Sequence, residues 1–197
     1  METLILHPTA TAQWQALVDE AERLSSIQLS EELESYVVFL LMRFSEHPEM
    51  VGNIIATEFL ENLTHLKQTQ EGLREVGDKC LLYAGLFPGN ARRRRVRISY
   101  YVNLGQSAYG SLSESYINSF SKLFASLSNH FVGIMDIMHA MRELTKNEFS
   151  LDLLQAEELW SDTHSKHALQ VLKSKTDGFL LSQFLLENSN EIPPKLH

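Results

Sequence analysis

The sequence of residues 30–46 is SEELESYVVFLLMRFSE, a pattern typical of an amphipathic helix. The hydroxyl of Ser30 can cap the first turn, and the acids that follow it favour the positive end of the helix dipole. Apolar residues then recur at spacings of three and four, which gives the helix one buried face: Leu33, Tyr36, Val37, Leu40, Leu41 and Phe44. This stretch therefore predicts a helix with one side in a core.

The same spacing recurs along most of the chain, which has only 9 glycines and 5 prolines in 197 residues. Because strands would show a period of two, we predict an all-α fold, a single-domain bundle of seven or eight helices over residues 1–190, with a loose C-terminal tail at residues 191–197. The predicted helices are 11–24, one that Ser30 opens with a buried face through Phe44, one from Pro48 through Leu63, 70–86, one capped by Ser99, 116–144 with a kink or break near Ser128-Asn129, 151–173 capped by Ser150, and 179–187. A turn is predicted at Pro88-Gly89-Asn90.

The composition of the chain argues against several classes of function. The chain has 17 basic and 25 acidic residues and a formal net charge of −8, which argues against general nucleic-acid binding. One cysteine, Cys80, cannot form an intramolecular disulfide, and the N-terminal residues lack the layout of a secretion signal, so we expect a cytoplasmic protein. The longest clean apolar run, residues 36–42, is shorter than the roughly 20 residues of a membrane helix, so no membrane partner is expected.

Charge is unevenly distributed along the chain. Residues 79–113 contain six basic residues and no acid, so this segment carries +6 and the rest of the chain carries −14. Guanidinium groups favour planar, bidentate contacts with phosphate or carboxylate, and tyrosine rings can stack on a base. The predicted ligand-binding residues are Arg92, Arg93, Arg94, Arg95, Arg97, Tyr100, Tyr101, Gln106 and Tyr109.

This Arg/Tyr-rich turn, at about residues 88–109, indicates a non-enzymatic binding or regulatory protein that recognises an anionic small molecule or an acidic protein surface without a cofactor. Two alternatives follow from the same charges. The arginines can balance acids within the fold, or the basic turn can contact the acidic body of a second copy in a homodimer.

The alternative function is a metal-dependent, di-iron-like helical enzyme with Glu and His ligands in the bundle core. Its candidate ligands, spaced about one turn apart, are Glu58, Glu61, His65, Asp136, His139, His164 and His167. The chain lacks the Glu-x-x-His motifs of ferritin-like sites and the common nucleotide-binding and nucleophile motifs, so the first interpretation has no catalytic or metal-binding residue. Asp136 and His139 lie in the apolar run 131–141, which predicts that both are buried and hydrogen-bonded.

One segment resembles a known group of proteins. Its residues are Gly77-Asp78, Leu82, Gly85, Phe87-Pro88, Arg93-Arg94-Arg95, Val96, Tyr100-Tyr101, Gly105 and Ala108-Tyr109-Gly110. The pattern is similar to one in a group of uncharacterised bacterial, mostly proteobacterial, helical proteins. The resemblance covers residues 77–110 and implies a bacterial, cytoplasmic protein, but it implies no activity, ligand or catalytic residue.

Overall fold

The computed structural model describes residues 9–49, 69–93, 96–146 and 150–175, without the side chain of Arg92. In these ranges the chain forms nine helices and no strand, which confirms the all-α class and exceeds the predicted seven or eight helices. Residues 50–63 of the helix predicted from Pro48, the helix predicted over residues 179–187 and the predicted tail at residues 191–197 lie outside the described residues. The helices are α1 (Ala10–Ser25), α2 (Glu31–Glu46), α3 (Gln70–Leu86), α4 (Pro88–Arg93), α5 (Ile98–Ser115), α6 (Ser119–Asn129), α7 (Phe131–Lys146), α8 (Leu153–Thr163) and α9 (Lys166–Lys175). None of these nine has the length and apolar character needed to cross a membrane.

The first three helices begin at hydroxyl caps. Ser30 accepts a hydrogen bond from the Leu33 N–H at 3.4 Å, as its sequence predicts. Thr9 accepts from Ala12 N–H at 3.2 Å, and Thr69 accepts from the Gly72 N–H at 3.0 Å. Each hydroxyl satisfies one of the N–H groups that a helix leaves without a partner in its first turn, so local sequence sets these boundaries.

Two predicted helices are divided. The helix predicted over residues 116–144 is two helices, α6 and α7, which meet at His130, close to the predicted break. The helix predicted over residues 151–173 ends at His164, whose left-handed backbone (φ 57°) stops α8 before α9 begins. A residue in this conformation closes the last helical turn and redirects the chain.

Three local predictions are wrong. The expected turn at residues 88–90 is the start of α4, because proline has no N–H to satisfy in a first turn. Ser99 is not the cap of α5, since Arg97 holds that position and the Ser99 hydroxyl donates to Asp162. Ser150 is not the cap of α8, which Asp152 caps together with Gln155.

The core is built around α3, which packs closely against α5 and α7. A Cβ atom at Gly77 of α3 would lie 2.5 Å from the Tyr109 ring of α5. At Gly105 of α5 it would lie 2.4 Å from the Phe131 ring of α7. These two glycines therefore allow the three helices to approach each other.

A buried carboxylate joins three helices. Asp78 of α3 is fully buried and accepts hydrogen bonds from the hydroxyls of Tyr36 (2.6 Å) and Tyr109 (2.7 Å). Arg43 of α2 forms an ion pair with it, and the Nε atom of Arg74 lies 3.7 Å away. Burial raises the pKa of both tyrosines, and the Asp78 charge raises them further, so both phenols stay neutral and donate. This network links α2 and α5 to α3.

Candidate functional site

The predicted arginine site lies where α4 ends and α5 begins. Arg93 is exposed at the last position of α4, and Arg97 precedes α5 with its side chain 62% exposed. Arg94, Arg95 and the side chain of Arg92 lie outside the described part of the chain. Two of the five predicted cations are therefore located on the surface between α4 and α5.

Acids on α8 contact the second of these cations. The Nη1 atom of Arg97 lies 3.4 Å from Asp162, and its Nε atom lies 3.7 Å from Glu158. The Ser99 hydroxyl donates to the same Asp162 carboxylate at 2.6 Å, which fixes that acid against α5. Contacts this long between exposed side chains are weak and screened by salt, so the guanidinium remains accessible to a stronger anion.

A cavity of about 330 Å³ adjoins Arg97 between the start of α5 and α8. Its lining residues are Val96, Arg97, Ile98, Ser99, Asp152, Leu154, Gln155, Glu158 and Leu159. No side chain caps the N-terminus of α5, so the first N–H groups of this helix add positive potential beside the guanidinium. Asp152 is occupied in capping α8, and Glu158 contacts Arg97. Among the residues that the structure describes, Arg97 is therefore the one basic side chain in the lining of a cavity that the carboxylates of Asp152 and Glu158 also line.

Two of the three predicted tyrosines, Tyr101 and Tyr109, do not join this surface. Tyr101 stacks on Tyr83 with ring centroids 5.3 Å apart, and Tyr109 donates to Asp78, so both rings are in the core. This corrects the expectation that they contact a ligand, because tyrosines at helical spacing bury their rings and place the hydroxyl on a buried acceptor. Gln106 donates to the Ser128 carbonyl at 3.3 Å and links α5 to α6. Tyr100 is half-buried near the start of α5.

A second polar group, the histidine cluster, consists of Asp136, His139, Glu143, Ser150 and His167. The His139 Nδ1 atom lies 2.7 Å from the Ser150 Oγ atom, which in turn lies 3.3 Å from His167 Nε2. The same Nε2 atom is 2.9 Å from Glu143. The two imidazole rings are nearly parallel, at 3°, with centroids 5.1 Å apart. The cluster thus joins the second half of α7 to the start of α9.

The Glu143 carboxylate fixes one proton of this cluster. Because that carboxylate only accepts, His167 Nε2 carries a proton between Glu143 and Ser150 Oγ. Ser150 Oγ and His139 Nδ1 form a hydrogen bond whose direction depends on the His139 tautomer, and His139 Nε2 is a buried atom with no partner among the described residues. Burial, with His167 and Arg142 nearby, holds the pKa of His139 well below its usual range, so this ring is neutral.

Asp136 lies beside the cluster but interacts with the N-terminus of α9. It is buried and accepts from the Ser165 hydroxyl at 2.5 Å and from the N–H groups of Lys166 and His167 at 2.9 and 3.3 Å. Burial raises the pKa of Asp136, which these hydrogen bonds oppose. The prediction that Asp136 and His139 are buried and hydrogen-bonded is confirmed, although each uses a different partner.

The metal-binding alternative gains no support from this arrangement. Glu58, Glu61 and His65 lie outside the described residues, and His164 is exposed, with its ring bonded to the Trp160 carbonyl at 3.2 Å. Asp136, His139 and His167 are brought together. Over the described ranges, however, no three His, Cys, Asp or Glu side chains are grouped so that they could hold a metal ion.

The sequence did not single out Asp78 or Ser150 as members of polar networks. Asp78 is the only acid in residues 76–90, a largely apolar stretch, and a lone acid there is a signal for a buried, paired carboxylate. Ser150 was interpreted as a cap, and only its contacts with two histidines from distant positions reveal its role.

Comparisons with protein-family models, with curated proteins and with solved structures find no match for this chain.

Proposed function

We propose that this protein binds an anionic ligand or an acidic protein surface at the site formed by the arginine run, Arg97 and the cavity between α5 and α8. The observation that carries the proposal is the accessible Arg97 guanidinium at the edge of that cavity, two positions after Arg92–Arg95. The cytoplasmic location and bacterial origin that the sequence predicts belong to the same proposal.

Charge supports a specific rather than a general mode of binding. The rest of the chain carries −14, so it repels polyanions everywhere except near the basic segment. Arginine forms two parallel hydrogen bonds to phosphate or carboxylate, which adds geometry to the attraction. The acidic body of a second copy would meet the same requirement, so a homodimer is one form that the acidic partner can take.

A thermal-shift screen tests this proposal. The probes are ATP, inorganic polyphosphate, a short single-stranded oligonucleotide and a poly-glutamate peptide, each at moderate salt. A probe at 100 times its dissociation constant adds about 2.7 kcal/mol, which should raise the Tm of a chain of this size by about 5–11 °C. Size-exclusion chromatography with light scattering reports whether a second copy is the partner.

Matched variants make the screen specific. Arg93→Ser with Arg97→Ser should abolish the shift, and Arg94→Glu with Arg95→Glu should do the same. Arg23→Ser is the control, because Arg23 is also exposed (70%) and ion-paired but lies on α1. A shift that survives both double variants, or the absence of any shift and of any dimer, would reject the proposed site.

A further inference from the structure

A groove between α2 and α6 leaves aromatic side chains exposed to solvent. It has a volume of about 460 Å³ and is lined by Glu31, Glu32, Ser35, Tyr36, Phe39, Ser119, Phe120 and Leu123. Phe39 is 62% exposed and Phe120 is 51% exposed. Single exposed apolar residues are common, but two phenylalanines that line one groove form a patch of the kind that marks an interaction surface.

The aromatic side chains at the base of the groove are held in place by their neighbours. The ring of Tyr36 packs at right angles to Tyr109 and to Phe124, at centroid distances of 6.3 and 6.2 Å, and its hydroxyl is bonded to the buried Asp78. The Phe120 ring contacts Tyr116 at 5.7 Å. Because the buried network holds the floor in place, a partner would bind to a largely preformed surface.

One end of this groove is acidic. Glu31 and Glu32 are exposed in the first turn of α2, and neither forms an ion pair with any residue that the structure describes. Lys122, the one basic residue of α6, is exposed but does not line the groove. The charge of the groove therefore favours a basic occupant, and its exposed phenylalanines favour an apolar one.

We propose that this groove docks a basic amphipathic helix of another protein. The nine residues from Glu31 to Phe39 span about 12 Å of helix, or about two turns, which matches a short helix that inserts apolar side chains at positions i, i+3 or i+4, and i+7. Lysine or arginine on that helix would lie beside Glu31 and Glu32, one or two turns from its apolar anchors. This surface is separate from the arginine site and does not depend on the function proposed for it.

Fluorescence anisotropy with a labelled helical peptide of leucine and lysine tests the proposal, beside a peptide of the same pattern with glutamate for lysine. The lysine peptide should bind in a saturable 1:1 complex, at least about tenfold more tightly than the glutamate peptide. Phe39→Ser with Phe120→Ser should weaken binding by about tenfold or more, since truncated central aromatic residues have effects of this size. Glu31→Gln with Glu32→Gln should weaken it several-fold at low salt and little at high salt.

Leu24→Ser on α1 and Glu157→Gln on α8 are the controls, because Leu24 is 50% exposed and Glu157 is an exposed acid, and both lie away from the groove. Both should bind the lysine peptide like the unchanged protein. If the variant Phe39→Ser with Phe120→Ser fails to fold, the variant Glu31→Gln with Glu32→Gln still tests the proposal. Equal loss in the controls, or binding that ignores the phenylalanines and follows charge alone, would overturn the proposal. A dimer of the unchanged protein that becomes a monomer in the serine variant would identify a second copy as the occupant and would also overturn it.

Discussion

Asp78 and Asp136 are both buried carboxylates, but the chain compensates their charges in different ways. Arg43 reaches Asp78 from α2, and two tyrosine hydroxyls donate to it. Asp136 has no ion pair with Lys or Arg in the part of the chain that the structure describes, and instead accepts from the Ser165 hydroxyl and two N–H groups at the start of α9. The first carboxylate depends on full charges, and the second depends on the dipoles of a helix end.

The largest effect should follow from removal of the first carboxylate. Asp78→Ala leaves the hydroxyls of Tyr36 and Tyr109 and the Arg43 guanidinium, whose side chain is 37% exposed, without their acceptor, which should cost about 3–5 kcal/mol of unfolding free energy. Urea denaturation followed by circular dichroism measures the loss. The control is Glu20→Ala, which breaks only an exposed pair with Arg23 and should cost less than about 1 kcal/mol. A loss below about 1 kcal/mol for Asp78→Ala would show that the network contributes little to stability.

Removal of the second carboxylate should have a smaller effect. Asp136→Ala leaves N–H groups and one hydroxyl unpaired, but it also removes the cost of burying an uncompensated charge, so we expect a loss of about 1–3 kcal/mol. Asp136→Asn retains an oxygen that can accept a hydrogen bond, so its loss of unfolding free energy should be smaller than that of Asp136→Ala. The same denaturation experiment measures both variants. If Asp136→Ala destabilised the protein more than Asp78→Ala does, helix-end dipoles would be the stronger form of compensation here.

The sequence predicts contacts within one helix better than contacts between helices. The bounds of α3 were predicted as observed, and Ser30 was predicted as the cap of α2, because apolar spacing and a capping hydroxyl act within a few residues of each other. Ser99 and Ser150 carry the same local signal, but their hydroxyls bond to side chains on other helices, so the caps predicted there were wrong.

The site was less predictable than the fold, because it depends on which helix faces meet. The arginine run was located from charge alone, and Arg97 is accessible as such a run requires. The role of Tyr109 depends on Asp78, 31 residues earlier, and on Gly77, where a side chain would displace its ring. No spacing rule within one helix relates residues that far apart, so surface and core tyrosines could not be distinguished.

The histidine cluster beside Asp136 should make stability depend on pH. His139 is neutral in the fold, whereas in the unfolded chain it takes up a proton below about pH 6.5, so stability is lost as the pH falls. If the folded ring stays neutral, the loss attributable to it reaches about 2 kcal/mol between pH 7 and pH 5. His139→Gln should remove that loss, and denaturation curves across this range measure it.

Two carboxyl groups of the fold act in the opposite direction. Partial burial, with Asp19 nearby, raises the pKa of Glu34 to about 7, and burial raises that of Asp136, so both contribute more stability as the pH falls. The quantity to compare is therefore the difference in slope between the unchanged protein and the variant, in which these contributions cancel. Equal slopes for the unchanged protein and His139→Gln would contradict a neutral, buried His139.

The smallest loss of unfolding free energy should follow from the substitution of Arg97, whose acidic partners are exposed. Arg97 contacts Asp162 and Glu158 at 3.4 and 3.7 Å, and their side chains are 27% and 37% exposed, so Arg97→Ser should cost less than about 1 kcal/mol. Arg43→Ser should cost several times more in the same denaturation assay, because it leaves the carboxylate of Asp78 buried without its closest cation. A large loss for Arg97→Ser would mean that this arginine serves the fold through charge balance, and its accessibility would no longer support a binding role. A negligible loss would leave the guanidinium free to act on a ligand, because the fold does not require it.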